Sequence, residues 1–115
     1  MTELQLHKDI VSYLRSVLPR GALVMHVPNE GKRTAWEQMH LRGLGVHRGW
    51  PDLAIYWQGI ALFLEVKTPA GRITPFQHDT MAQLNEQGFH AHVVRSIDEV
   101  RERLTDAGID TREKT

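Results

Sequence analysis

Gly49-Trp50-Pro51-Asp52-Leu53-Ala54-Ile55-Tyr56-Trp57-Gln58-Gly59-Ile60-Ala61-Leu62-Phe63-Leu64-Glu65-Val66-Lys67 is the stretch on which the fold turns. Two apolar runs of strand length flank Gln58-Gly59, the place for a tight hairpin turn, although Gln is a poorer first turn residue than Asn or Asp. Counting outward from that turn sets Trp57 against Ile60, Tyr56 against Ala61 and, at the end of the ladder, Asp52 against Glu65. Side chains alternate along a strand, so Lys67 leaves on the same face as Glu65. Val66 points to the other face and exposes its carbonyl near the same place.

Like charges directly opposite one another destabilise a hairpin unless something holds them together. A divalent cation would do so. Hard oxygen ligands of this kind suit magnesium or manganese, which bind through one or two carboxylates and keep waters for a substrate phosphate to replace. A second reading is a solvated hairpin end in which Lys67 neutralises one acid. The run before Glu65 is apolar enough to be buried on both faces, which marks a central strand, and charges at its end need a reason.

A chain of 115 residues makes one domain, able to bury an adequate core without staples. It has no cysteine, which excludes disulfides, thiolate zinc sites and thiol nucleophiles. The longest apolar run, Ile60 to Leu64, is too short for a membrane span or a signal peptide, so a cytoplasmic protein without membrane attachment is expected. The formal net charge is zero, but its distribution is uneven. Lys32, Arg33, Arg42 and Arg48 stand between Gly31 and Gly49 against one acid, Glu37, and Arg72 follows Lys67 after a short loop. This basic patch flanks the Asp52–Glu65 pair and reads either as a phosphate-contacting surface or as an ordinary solvated face.

Before the hairpin, Thr2 and Gln5 form a capping box ahead of Leu6, Ile10, Val11, Leu14, Val17 and Leu18 at helical spacing, ended by Pro19 and Gly21. Glu3 lies at the start of that helix on its core-facing side, either reaching towards the acids or simply complementing the helix dipole. Ala22 to Val27 reads as a strand, stopped by Pro28-Asn29-Glu30-Gly31. Thr34 to Leu41 has helical character around Trp36 and Met39, and glycines at 43, 45 and 49 lead to Asp52.

After Lys67 comes a loop to Ile73, then a second capping box at Thr74 and Gln77 with proline at the first helical position, opening a helix to Gln87. The Gln77 amide either caps that helix or points across the loop at the acids. His90 to Val94 is the fourth strand, with the histidines expected outward and Ala91 and Val93 inward. A third capping box, Ser96 with Glu99, opens a last helix to Gly108, and Ile109 to Thr115 should fray. Trp50 and Trp57 read as packing residues, and Trp50 as a candidate for stacking on a base or a partner subunit.

The order helix, strand, Asp-to-Glu-x-Lys hairpin, helix, strand resembles the core of the PD-(D/E)XK nucleases. The resemblance to their VRR-NUC branch covers nearly the whole chain: Thr2-Glu3-x-Gln5-Leu6, Pro28-Asn29-x-Gly31, Gly49-x-Pro51-Asp52-Leu53, Glu65-Val66-Lys67-Thr68, Gly71 and Gln77. Trp50 departs from the small aliphatic residue usual before that proline, and His7 replaces a frequent glutamine. The resemblance implies an α/β, restriction-endonuclease-like core of order α-β-(short α)-β-β-α-β-α around a central mixed sheet, occupying residues 1–108 with a polar tail at 109–115. It implies metal-dependent hydrolysis of DNA phosphodiesters, with Asp52, Glu65 and the Val66 carbonyl holding Mg²⁺ or Mn²⁺. Lys67 would orient or activate the attacking water, and Glu3 and Gln77 would assist. Small free-standing members, of phage and bacterial origin, resemble structure-selective endonucleases that act as homodimers on branched DNA such as four-way junctions. A DNA-binding or assembly module without turnover, and a restriction-type subunit needing a partner, stay open beside that reading.

Overall fold

Thr2, Thr34 and Thr74 each start a helix in the same way. In the computed structural model, which describes residues 1–28 and 34–113, each hydroxyl accepts the backbone N–H three residues on. The side chain at that third position, Gln5, Glu37 or Gln77, returns to the N–H of the cap. The helices that follow are α1 (Glu3–Val17), α2 (Ala35–Gly43) and α3 (Pro75–Glu86). The last helix, α4 (Ile97–Ala107), corrects the expected third box. Ser96 accepts from the Glu99 N–H, but the Glu99 carboxylate takes the Arg95 N–H at 3.3 Å. Ser96 has φ −159° where the three threonines lie between −67° and −86°, which turns its own N–H away from the helix.

Four strands, β1 (Leu23–His26), β2 (Leu53–Trp57), β3 (Ile60–Val66) and β4 (His90–Val94), form one mixed sheet in that order. The first two pairings are antiparallel, and β3 runs parallel to β4. The hairpin register is the one obtained by counting, from Trp57 opposite Ile60 to Leu53 opposite Leu64. Both turn residues take positive φ, 46° at Gln58 and 79° at Gly59, as a two-residue turn matching the strand twist requires. Parallel neighbours need a crossover, and α3 supplies it between β3 and β4.

Period-two alternation sends the sheet's side chains to two cores. On one face Leu6, Ile10 and Leu14 of α1 meet Leu62, Leu64 and Val66 of β3, with Val100 and Leu104 of α4 closing over them. On the other, Met81 and Leu84 of α3 pack on Ala54, Phe63 and Ala91. β3 is thus an inner strand buried on both faces from Leu62 to Val66. Ala91 and Val93 do point towards the α3 core, but the expectation of outward histidines is corrected: α4 packs against β4, and His90 and His92 are half-buried. Burial, with Arg103 and His90 nearby, holds His92 below the ordinary histidine range.

The expectation that the chain frays from Ile109 to Thr115 is corrected over residues 109–113, the last two residues lying outside the described ones. Gly108, at φ 81°, turns the backbone so that Ile109 enters the core at 3% exposure. Arg112 then bonds the end of α1, its N–H to the Val17 carbonyl at 2.6 Å and its Nε to the Leu18 carbonyl at 2.8 Å. Glu113 accepts from the Tyr13 hydroxyl at 2.9 Å and from the Arg101 guanidinium. By contrast α2 buries none of its residues, and Trp36 and Met39 are 71% and 72% exposed. Among the described residues no helix is long and apolar enough to cross a membrane.

Candidate active site

Asp52 immediately precedes β2, next to fully buried Pro51, and its position is set by a close approach of two backbones. Gly49 has φ 81°, and a Cβ there would lie 2.4 Å from the carbonyl carbon and oxygen of Phe76 at the start of α3. Only glycine fits. The loop is anchored further by the Thr80 hydroxyl, which donates to the Arg48 carbonyl at 2.7 Å. The Asp52 backbone carbonyl accepts the Val27 N–H at 2.7 Å and contacts His26 Nδ1 at 3.2 Å. Its carboxylate Oδ2 accepts the Val66 N–H at 2.9 Å, taking over where the β2–β3 ladder ends. The side chain of Val66 itself is buried in the α1 core.

Glu65 stands beside Asp52 at 2% exposure. Gln77 Nε2 donates to Glu65 Oε2 at 3.3 Å, while Gln77 Oε1 accepts the Thr74 N–H at 2.9 Å. The two readings of Gln77 are therefore both satisfied by one amide, its oxygen capping α3 and its nitrogen reaching the acid. Lys67 Nζ lies 3.7 Å from Glu65 Oε2 and 3.8 Å from Glu3 Oε1, so Glu3 serves the α1 dipole and also reaches the lysine. Both α1 and α3 point their N-terminal ends at this place, through Glu3 in the first and Gln77 in the second.

Even with Lys67 present, the charge is not balanced. Glu65 Oε1 is buried with no hydrogen-bond partner among the described residues. Burial, followed by the Asp52 carboxyl beside it, pushes the Glu65 pKa up to about 9, against the pull of Lys67. A carboxyl in this state either keeps a proton or takes a cation. Among the described residues no group of three or more His, Cys, Asp or Glu is placed to hold a metal ion; the two carboxylates, Asp52 and Glu65, are hard oxygen donors of the kind that suits an ion keeping most of its waters.

Three neighbours escaped the sequence reading. His7 lies within range of Glu3 and Asp52, and its ring meets the His26 edge at 4.8 Å. Burial and then His26 hold it below the ordinary histidine range, against Asp52 and Glu3. Its spacing of four from Glu3 on α1 was the available signal. Arg95 fixes the loop after Lys67 by donating from Nη1 to the Thr68 and Gly71 carbonyls, each at 2.6 Å. Only the parallel pairing of β3 with β4 brings it there.

Of the five basic residues singled out in the sequence, three are among the described residues. Lys32 and Arg33 lie outside the described residues. Arg42 is exposed in the last turn of α2, and Arg72 is exposed in the loop after Lys67. Arg48 stacks its guanidinium on the Phe76 ring at 3.6 Å, next to Gln77 in the chain. Trp50 packs edge-on against Phe63, with centroids 5.7 Å apart, as a packing residue does.

Residues 4–98 match the model of the VRR-NUC domain. Among solved structures the chain is similar to a VRR_NUC domain protein, with TM-score 0.73 and 23% identity over 93% of this chain and 88% of that one. It is also similar to a second VRR_NUC domain, with TM-score 0.61 and 22% identity over 92% of this chain and 97% of that one. At these identities the likeness is one of fold. Among curated proteins there is no match.

Proposed function

The chain belongs to the VRR-NUC nuclease-domain family, and on that premise we propose that its Asp52–Glu65 site is the centre of an endonuclease hydrolysing DNA phosphodiester bonds with Mg²⁺ or Mn²⁺. One observation carries the reading: Glu65 Oε1 is a buried oxygen with no hydrogen-bond partner among the described residues, and leaving such a group unsatisfied costs about 1–3 kcal/mol, which a bound cation relieves. Asp52, Glu65 and the Val66 carbonyl are the residues that would hold the ion. Bound there, it supplies positive charge for the phosphorane-like transition state and lowers the pKa of water.

The protein groups divide the remaining work. Lys67, steered by Glu3 and Glu65, orients or activates the attacking water and adds a positive charge next to the reacting phosphate. Gln77 holds Glu65 Oε2 and leaves Oε1 for the ion. The Val66 N–H fixes the Asp52 carboxylate in the same way. Lys32, Arg33, Arg42, Arg48 and Arg72 contribute phosphate contacts, which set affinity rather than sequence preference.

The preferred substrate is branched DNA such as a four-way junction, cut by a homodimer in the cytoplasm. The exposed side chains of α2, Trp36 and Met39, and Leu44 beyond it, give a second copy an apolar surface to cover, and twofold symmetry would present two sites to opposite strands. The test is incubation of purified protein with linear, flapped, forked and four-way DNA, with and without Mg²⁺ or Mn²⁺, alongside light scattering. Ion-dependent cutting that favours the junction and disappears in Glu65→Gln supports the reading. Cutting in chelator, or undiminished cutting by Glu65→Gln, overturns it, and a fully active monomer overturns the dimer.

A further inference from the structure

A groove separates α1 from the sheet's edge strand β1, on the side of the molecule away from α3. It consists of two adjoining clefts, of about 430 Å³ and about 500 Å³, with Arg15 lining both. One end is formed by His7 and His26, the pair that borders Asp52. The other reaches Pro19, Arg20 and Gly21, beyond the last turn of α1. Helical and strand periods align the lining: Val11 and Arg15 follow one side of α1 towards its C-cap Leu18, and Val24 and His26 are alternate positions of β1, with Ala22 just before it.

The charge of the lining is one-sided. Lys8, Arg15, Arg20 and Arg112 line it together with the two histidines, and no Asp or Glu does, in a chain whose net charge is zero. Lys8, Arg15 and Arg20 are exposed and enter no ion pair among the described residues. Arg112 is pinned to the groove wall by its bond to the Leu18 carbonyl. From residue 7 to residue 18 a helix rises about 16 Å, room for about four phosphates if they are spaced about 3.4 Å along an axis.

We propose that this groove binds the sugar–phosphate backbone of one nucleic-acid strand running to or from the Asp52–Glu65 site, with Lys8, Arg15 and Arg20 as the phosphate contacts. The assignment rests on the nuclease reading above. His7 and His26, at one end of the groove, border Asp52, and a strand occupying that site must continue past its edges. Of the basic patch read from the sequence, Arg42, Arg48 and Arg72, the members among the described residues, do not line this groove.

The experiment is fluorescence anisotropy with a short labelled single-stranded oligonucleotide in chelator, comparing wild type with Lys8→Ala/Arg15→Ala/Arg20→Ala across a salt series. Binding should weaken about tenfold or more, and the slope of log Kd against log salt should flatten by about two for three lost contacts on a single strand. The substitutions are at exposed positions, so the melting temperature should hold. If it falls, Arg15→Glu alone reads the same loss. Adding Glu86→Gln, Glu102→Gln and Asp110→Asn to the triple variant returns the net charge to zero, and the defect should persist. Recovery of wild-type affinity in that variant overturns the groove in favour of bulk charge. A triple variant that binds like wild type also overturns it, while ion-dependent cutting by wild type leaves the nuclease reading intact. Displacement of the oligonucleotide by polyglutamate at equal charge overturns the nucleic-acid assignment in favour of an acidic peptide. A wild type that neither binds nor cuts DNA overturns both readings.

Discussion

Gln77 joins two jobs: its Nε2 donates to Glu65 Oε2, 12 residues back in sequence, at 3.3 Å while its Oε1 caps α3 on the Thr74 N–H. The start of the crossover helix and the orientation of the buried acid therefore depend on one side chain. Gln77→Ala should lose both, lowering stability by about 1 kcal/mol through the cap and lowering cleavage through a freed Glu65. Gln77→Glu keeps the cap oxygen but sets a third acid beside Glu65 and Asp52. Metal-free Gln77→Glu should melt below wild type, with Mn²⁺ closing the gap. Differential scanning fluorimetry of both variants checks this, and equal metal-free melting of Gln77→Glu and wild type would contradict the geometry.

Glu65→Gln keeps the size of the side chain but can neither ionise nor hold a cation. Metal-free Glu65→Gln should melt at or above the metal-free wild type, because a neutral amide replaces a carboxyl that burial and Asp52 already hold in its neutral form, and the gap should widen as the pH rises towards 9. Mn²⁺ should raise the melting temperature of wild type far more than that of the variant. Cleavage should fall on the order of a thousandfold, corresponding to several kcal/mol of lost transition-state stabilisation, while DNA binding survives. A variant that unfolds without metal would make Glu65 a structural partner of Lys67.

Gly49→Ala should disturb the site from outside it. The φ of 81° alone costs about 1–3 kcal/mol for a residue with a Cβ, and contact with the Phe76 carbonyl adds to this. Gly88→Ala is the control, since Gly88 has φ 93° and open space around a Cβ. Urea unfolding should show Gly49→Ala as the less stable of the two, and only Gly49→Ala should lose activity. Equal losses of stability would mean that the close approach to α3 is relaxed in solution.

The docking of the tail should respond to acid. Arg101 and then Tyr13 hold the Glu113 carboxyl below the usual carboxylate range. A depressed folded pKa gives stability that is present above the unfolded value and is lost as the pH falls through the folded one. Glu113→Gln should therefore melt below wild type at neutral pH and converge with it below about pH 4. Melting temperatures of both proteins across that range decide it, and a constant difference would show that the carboxylate charge contributes nothing.

Local chemistry made much of the protein legible from sequence. The hairpin register follows from the Gln58-Gly59 turn and a strict period of two, so the Asp52–Glu65 pairing could be counted. The caps at Thr2 and Thr74 follow from hydrogen bonds spanning three residues, and the burial of β3 from its unbroken apolar run. The capping box at Thr34 and Glu37 was equally local but lay among residues read for charge. Ser96 shows the limit of such reading, because its φ, set by the turn out of β4, decides whether its N–H faces the helix.

Tertiary structure alone decided the rest, because contacts between distant elements depend on how layers stack and not on spacing along the chain. Nothing in Ile109 to Glu113 announces that Gly108 will lay them across the end of α1, where Arg112 and Glu113 find partners about a hundred residues away in sequence. The reach of Glu3 to Lys67 needs α1 to cross β3 at its charged end. The orphaned oxygen of Glu65 is the clearest case: sequence places two acids opposite each other, but only packing on both faces of β3 removes the water that would have satisfied them.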